Sequence, residues 1–216
     1  MYADGLVLIS PSTRGLSRLI EECQKYGLEF DILFNSSKSA VMFFKPDFLR
    51  KTNFPNFKIN NENIDIVSNY TYLGHIICND SSDDLDILRQ RRKIFAQGNS
   101  IMRKFYMCSL DVKLTLFRSY CSSFYTSQLW VNYTKKTMHK LYTAYHNVLK
   151  MFIGVSKCEH TRPICANLNV QYCPALIRNF IYKFISRLIA SENIYVKALC
   201  NTCLLYTSPS PRDDCP

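Results

Sequence analysis

The chain has 216 residues, of which 27 are Lys or Arg and 17 are Asp or Glu, so its formal net charge is +10. Hydrophobic residues make up 47% of it, which excludes collagen-like, coiled-coil and wholly disordered chains. No run of about 18 uncharged apolar residues is present, so we expect no membrane span. The first residues lack the basic flank and apolar core of a signal peptide. The ten cysteines therefore indicate reduced thiols in an intracellular protein.

The first 82 residues predict a small sheet and one helix. Ser10-Pro11 indicates a helix start, and Gly27 indicates its end. A polar turn is predicted at 35–38. The predicted strands are 5–9, 28–34, 39–44, 57–59, 64–66 and 70–77, of which 57–59 and 64–66 form a hairpin and 70–77 is interrupted by Gly74. This order of elements is typical of an α+β fold.

The rest of the chain predicts a helical bundle. From 84 to 105, Ile87, Ile94 and Ile101 recur at helical spacing and define a buried side. A second helix is predicted from 111 to 125, and a third from 135 to about 152. Pro174 suits the first turn of a fourth. The second helix is expected to bury Val112, Leu116, Tyr120 and Phe124.

The positive charge is concentrated in the middle of the chain. Residues 83–150 hold twelve basic and four acidic groups. On the helix at 84–105, five cations fall within about 120° of arc opposite the buried side. They are Arg89, Arg92, Lys93, Arg103 and Lys104. This face is a candidate phosphate-binding surface, and an ordinary solvated helix face is the alternative.

In chain order, residues 2–5, 27–39 and 72–77 resemble motifs of one enzyme family, the reverse transcriptases of the non-LTR (LINE-type) retrotransposon group. Tyr2-Ala3-Asp4-Gly5 resembles the catalytic Tyr-Ala-Asp-Asp turn of reverse transcriptases. Gly27-Leu28-Glu29-Phe30, followed by Asn35-Ser36-Ser37-Lys38-Ser39, is similar to the next palm motif, and Tyr72-Leu73-Gly74-His75-Ile76-Ile77 is similar to the primer-grip strand. The basic helices that follow, with Leu129-Trp130, look like the thumb. The resemblance covers residues 1 to roughly 190.

The resemblance implies RNA-templated DNA synthesis by two-metal phosphoryl transfer, with Mg²⁺ as cofactor. Asp4 matches the first aspartate of the catalytic turn and is implied to be a catalytic metal ligand. Gly5 stands at the position of the second aspartate and has no oxygen to offer. The resemblance places a further carboxylate on an earlier strand, before Met1. We therefore expect this chain alone to hold Mg²⁺ poorly and to be inactive, since the fingers are also missing.

Further roles follow from the resemblance in the same way. Lys38 is implied to lie near the nucleotide triphosphate as a proton donor, with a solvated turn lysine as the alternative. Tyr72, Leu73 and Gly74 are implied to position the primer end, and an ordinary strand with a bulge is equally compatible. The basic face at 84–105 is implied to track the phosphates of an RNA template or RNA/DNA hybrid.

Two other features are given structural or artefactual interpretations. Cys158, His160, Cys165 and Cys173, with Cys200-Asn201-Thr202-Cys203, fit no common zinc-site spacing, so structural thiols are the preferred interpretation. The Pro- and Ser-rich tail at 204–216 is expected to be disordered, and it resembles translated sequencing-adapter readthrough.

The sequence thus predicts a partial polymerase palm at 1–82, a helical thumb at 83–155, a helical extension at 156–203 and an artefactual tail at 204–216. The predicted function is that of a fragment of a retrotransposon reverse transcriptase, with nucleic acid as partner and no membrane association. A non-enzymatic basic module that binds nucleic acid is the alternative from another class of protein. A decayed gene fragment without function is the third hypothesis.

Overall fold

The computed structural model describes residues 5–44 and 55–201 and shows a mixed architecture of helices and very small sheets. The described residues up to Tyr72, together with Ile77–Ser81, form one compact unit. Leu73–Ile76 and the described residues from Ser82 onward form a second. The coarse prediction of a mixed α and β fold is therefore confirmed. No helix within the described ranges is long and apolar enough to cross a membrane.

The first unit is built on one helix and short strand pairs. Helix α1 spans Thr13–Glu29, and its Ser12 cap accepts a hydrogen bond from the Gly15 amide. A one-turn 3-10 helix follows at Ser36–Lys38. The strands are β1 Ala40–Val41, β2 Lys58–Ile59, β3 Glu62–Asn63, β4 Asp65–Ile66, β5 Asn69–Tyr72 and β6 His75–Cys78, of which β5 and β6 pair as a hairpin.

The small core of this unit explains which strand predictions hold. This core consists of Ile20, Val41, Phe57 and Ile64. Strand β1, which carries Val41, pairs in parallel with β4. The predicted hairpin at 57–66 is confirmed in its first strand and its turn, since β2 and β3 are antiparallel around Asn60 and Asn61. Its second strand lies at 62–63 rather than at 64–66, because Asp65–Ile66 pairs in parallel with β1 instead. Both asparagines have positive φ, which asparagine tolerates better than most residues do.

Two strand predictions in this unit are wrong. At 5–9 only Gly5 makes a strand-like bridge, and Ile9 is 86% exposed. At 28–34 the chain first completes helix α1, and Leu33 is 88% exposed. A short apolar run predicts a buried strand only where a core exists to cover it. The small core of this unit contacts Leu8 of the first run, but most of the apolar side chains in both runs remain exposed.

The second unit is a bundle of helices around one apolar core. Helix α2 spans Asp84–Phe105, α3 spans Leu110–Leu116 and α4 spans Lys135–Ile153. Helices α5 Thr161–Asn167, α6 Cys173–Ile189 and α7 Ile194–Asn201 follow. The predicted buried row Ile87, Ile94 and Ile101 is confirmed in the core. Pro174 lies in the first turn of α6, as predicted.

Helices α2 and α4 pack closely in the middle of the bundle. A Cβ added at Gly98 would lie 2.6 Å from Cγ1 of Val148, so only glycine permits this approach of the two helices. A larger residue at position 98 would force them apart. Since α2 carries the basic face and α4 contributes more buried core residues than any other helix, this contact fixes the orientation of that face.

The prediction for 111–125 is wrong in its length and in most of its buried side. Of the four residues expected to be buried, Phe124 is buried and Leu116 is half-buried, whereas Val112 and Tyr120 are 44% and 53% exposed. Helix α3 ends at Leu116 and continues as a wider π-helical turn at Phe117–Cys121. The buried side chains are Leu114, Phe117, Cys121 and Phe124. The ring of Phe117 lies 5.0 Å from that of Tyr145 and 5.5 Å from that of Phe152, and these aromatic contacts select the buried side.

The segment 70–77 is a hairpin rather than one interrupted strand, which corrects the prediction. Leu73 and Gly74 form its two-residue turn, with φ of 46° and 76°. Positive φ at both positions is the signature of a type I′ turn, in which Asn-Gly is the preferred pair. Glycine adopts this conformation freely, whereas a leucine pays about 1–2 kcal/mol for it.

We expect Leu73→Asn to stabilise the protein by about 1 kcal/mol, because asparagine relieves the backbone strain of the turn. Leu73 is 44% exposed, so little apolar burial is lost. Leu85→Asn is the matched control, since Leu85 is also 44% exposed but lies in helix α2. It should destabilise by about 0.5 kcal/mol through helix propensity. Equal loss of stability in both variants, measured by urea unfolding, would contradict the proposed strain.

Candidate nucleic-acid interface

A buried carboxylate organises the second unit behind the basic face. Asp86 lies in the first turn of α2 and has no exposed surface. Its Oδ1 accepts hydrogen bonds from the Ile76 amide at 3.2 Å and from Nη2 of Arg89. Its Oδ2 accepts from Oγ1 of Thr126 at 3.0 Å and from Nε1 of Trp130 at 2.8 Å. Both oxygens are therefore saturated, which a buried carboxylate requires.

His75 adds an ion pair to this network. Its Nδ1 lies 3.2 Å from Oδ2 of Asp86, without the alignment of a hydrogen bond, and its Nε2 lies 3.6 Å from Oδ1 of Asp83. Interactions with Asp83 and then Asp86 raise the pKa of His75 to about 9. Burial opposes ionisation of Asp86, but His75, Trp130 and the other donors together lower its pKa to about 2. The network is therefore charged at neutral pH.

The neighbouring carboxylates are also turned inward. Oδ2 of Asp83 accepts from the amides of Val131 and Asn132 at 2.8 and 2.9 Å. Asp84 accepts from the amide and the hydroxyl of Thr134 at 2.9 and 3.0 Å. Of the four acidic groups in 83–150, three thus hold the segment before α4. They are not spread among the cations of α2.

Arg89 is occupied by the same network. Its Nη2 donates to Asp86 and to the carbonyl of Gly74, in the turn at 73–74. This guanidinium connects the turn to α2 within the second unit. The structure therefore supports a positioning role for Arg89, and the remaining four cations form the candidate surface.

These four cations face solvent. Arg92, Lys93, Arg103 and Lys104 are exposed along α2, and none makes an ion pair with another described residue. Helix α2 carries no acidic residue after its first turn. We call these four residues the α2 basic face. Its geometry can hold several phosphates at once, in the way that proteins bind the nucleic-acid backbone without reading bases.

The other predicted site residues lie in various places. Asp4 is outside the described residues. Lys38 is exposed at the end of the 3-10 helix, and its carbonyl accepts a hydrogen bond from the hydroxyl of Tyr70 at 3.0 Å. Tyr72 is half-buried at the end of β5, while Leu73 and Gly74 form the turn. Their implied roles at a primer and a triphosphate stay predictions.

The residues in hand do not form a magnesium site. Among the described residues, no three His, Cys, Asp or Glu side chains are grouped so that they could hold a metal ion. His75 contacts both Asp83 and Asp86, and the oxygens of these carboxylates are engaged with protein partners.

Sequence reasoning missed His75, Asp86, Thr126 and Trp130 as a unit. The acidic run at 83–86 carries only the signal of a helix start. Two of the residues that donate to Asp86, Thr126 and Trp130, lie 40 and 44 residues further along the chain, so no local sequence pattern links them to it. A lone tryptophan gives no hint of its hydrogen-bond acceptor.

We expect the stability of the second unit to fall as pH rises from about 6.5 to about 9. The folded pKa of His75 is raised to about 9 from an ordinary value of 6.5. Its contribution is therefore complete below pH 6.5 and is lost as the imidazolium deprotonates. The free energy of unfolding, measured by denaturant titration across this range, should decline less in His75→Gln than in the parent.

His160→Gln is the control for this experiment, because His160 is exposed at the start of α5. It should keep the pH dependence of the parent protein. If His75→Gln and His160→Gln gave the same pH profile as the parent, His75 would not be held by the two carboxylates in the way described.

Comparisons with protein-family models, with curated proteins and with solved structures found no match to this chain.

Proposed function

We propose that the second unit binds nucleic acid through the α2 basic face. The observation that carries this proposal is the separation of charge around α2. Asp83, Asp84 and Asp86 are engaged in internal hydrogen bonds, whereas the four cations are exposed and unpaired with described carboxylates. Such a surface attracts a polyanion and gains free energy from released counterions. It suits a duplex or hybrid, whose phosphates lie on a convex rod.

We further propose that the chain derives from a reverse transcriptase of the non-LTR group, as a palm and thumb segment. The support is the order of three resembling motifs, at Tyr2–Gly5, at 27–39 and at 72–77, followed by basic helices. In such an enzyme the α2 basic face would hold the template–primer hybrid. Mg²⁺ would supply activation of the primer hydroxyl in the parent enzyme, with Asp4 among its ligands.

The alternative of a non-enzymatic module that binds nucleic acid is favoured by one observation. Gly5 stands where the second metal-binding aspartate would be, and glycine has no side-chain ligand. A module of this kind needs the basic face but no metal site. The two hypotheses therefore share the binding surface and differ in the chemistry beside it.

We expect Arg92→Gln with Lys93→Gln to weaken binding to an RNA/DNA hybrid. The slope of log K against log salt should fall by about 2, because two phosphate contacts are lost. Arg14→Gln with Arg18→Gln is the matched control, since it removes two exposed cations from helix α1. Fluorescence anisotropy with a labelled hybrid gives both slopes. An equal effect of the two double variants would show that net charge alone acts, and would contradict the proposed surface.

We expect this chain to show no Mg²⁺-dependent extension of a labelled primer on an RNA template. The physical reason is the missing oxygen ligand at Gly5, because loss of a metal carboxylate removes stabilisation of the developing charge in phosphoryl transfer. A known reverse transcriptase assayed beside it serves as positive control. Extension by the chain that depends on Mg²⁺ would contradict this and favour an active polymerase.

A further inference from the structure

The second unit has another basic surface, a groove that none of the four residues of the α2 basic face lines. It has a volume of about 1040 Å³ and lies between the first turns of α4, helix α5 and the start of α6. Lys135, Arg162 and Arg178 line it together with His139, and none of its lining residues is Asp or Glu. Tyrosines, Asn169 and Gln171 supply the rest of its polar surface. It is therefore cationic and partly aromatic.

The wall of the groove is held in place from behind. Arg118 donates to the carbonyls of Leu168 and Asn169 at 2.8 and 3.4 Å. The hydroxyl of Tyr145 donates to the carbonyl of Gln171 at 3.1 Å. These three bonds fix the loop between α5 and α6, so the groove is preformed and a ligand need not order it.

A buried histidine supports the same wall. Nε2 of His146 accepts a hydrogen bond from the amide of Cys173 at 3.3 Å, where α6 begins. Burial and then the charge of Lys150 lower the pKa of His146 to about 4, so the imidazole stays neutral and can accept at neutral pH. Its ring stacks on Tyr172 at 4.6 Å, with 15° between the planes.

Tyr172 in turn positions a cation at the groove. The guanidinium of Arg162 lies 5.7 Å from the centre of the Tyr172 ring. Arginine placed on an aromatic ring keeps its N–H donors free at the edge of its plane, where they can bind phosphate oxygens. Arg178 reaches the same groove from the second turn of α6 and is exposed. Two guanidinium groups from two helices thus converge on one groove.

We propose that this groove binds a single-stranded polynucleotide. Proteins hold single strands in positively charged grooves that follow the backbone, and here Arg162 and Arg178 would bind the phosphates. The volume lies at the upper limit of small-ligand pockets, which favours an elongated ligand over one phosphate group. A concave groove suits an unpaired strand, whereas the α2 basic face suits a duplex. The inference rests on the proposed function in one respect, namely that the ligand is a nucleic acid.

The test compares two ligands and two surfaces in the full chain. The ligands are a labelled twelve-nucleotide oligouridylate and a labelled RNA/DNA hybrid. Arg162→Gln with Arg178→Gln should weaken oligouridylate binding about tenfold at low salt and lower the salt slope by about 1.4, since single strands release about 0.7 counterions per contact. The affinity of this double variant for the hybrid should change by less than twofold.

The matched control is Lys183→Gln with Arg187→Gln, which removes two exposed cations from the distal part of α6. It should change neither affinity by more than twofold. Because Arg162 contacts Tyr172, Arg178→Gln alone is the second variant, and it should weaken oligouridylate binding about threefold without altering the melting temperature. Unchanged oligouridylate binding in a folded Arg178→Gln variant and in the double variant would overturn the proposal.

Two further outcomes separate this proposal from its competitors. Competition by inorganic triphosphate at equal phosphate concentration would show a site for small polyphosphates and would overturn the polynucleotide assignment. Equal loss of hybrid and oligouridylate binding in the groove variant would show one shared surface and would overturn it as well. If Arg92→Gln with Lys93→Gln spared the hybrid while the groove variants still lost oligouridylate, the proposed function of α2 would fail and the groove would stand.

Discussion

The second unit depends on one buried carboxylate with every oxygen lone pair used. Asp86 receives donors from strand β6, from its own helix and from the segment at 126–130. Burial of an unpaired carboxylate would cost several kcal/mol, so the network forms only when all three parts are in place. The network is therefore complete only when the second unit is correctly folded. Removal of Asp86 would leave Trp130 Nε1 and the Ile76 amide without an acceptor, and would leave His75 paired with Asp83 alone.

The same carboxylates decide how the charge of the unit is presented. Asp83 and Asp84 are attached to the segment at 131–134, and Asp86 to the centre of the network. The acidic groups are thus used as hydrogen-bond acceptors inside, while the cations of α2 remain in solvent. A count of charges along 83–150 describes the net excess but not this separation. The separation is what places the excess of charge on one exposed face of α2.

How far the fold was predictable depends on how local its signals are. Helices α2 and α4 were predicted at almost their observed limits, because an amphipathic stripe repeats over many turns. The strand predictions at 5–9 and 28–34 were wrong because a short apolar run does not show whether a core covers it. The turn at Leu73 was missed because leucine gives no turn signal, and only Gly74 marks the place. The limits predicted for palm, thumb and extension stay predictions.

The candidate site could also be predicted only in part from the sequence, and the misplaced residue affects which variants test binding. The exposure of Arg92, Lys93, Arg103 and Lys104 follows from helix phase alone, so the sequence predicted it. Helix phase placed Arg89 among them, yet its guanidinium donates to Asp86 and to the turn at Gly74. Nη2 of Arg89 is engaged with a buried carboxylate, so Arg89 is less available to a phosphate than the exposed cations of α2 are. Substitution of Arg89 would therefore lower folding stability as well as charge, which makes Arg92 and Lys93 the cleaner probes of binding.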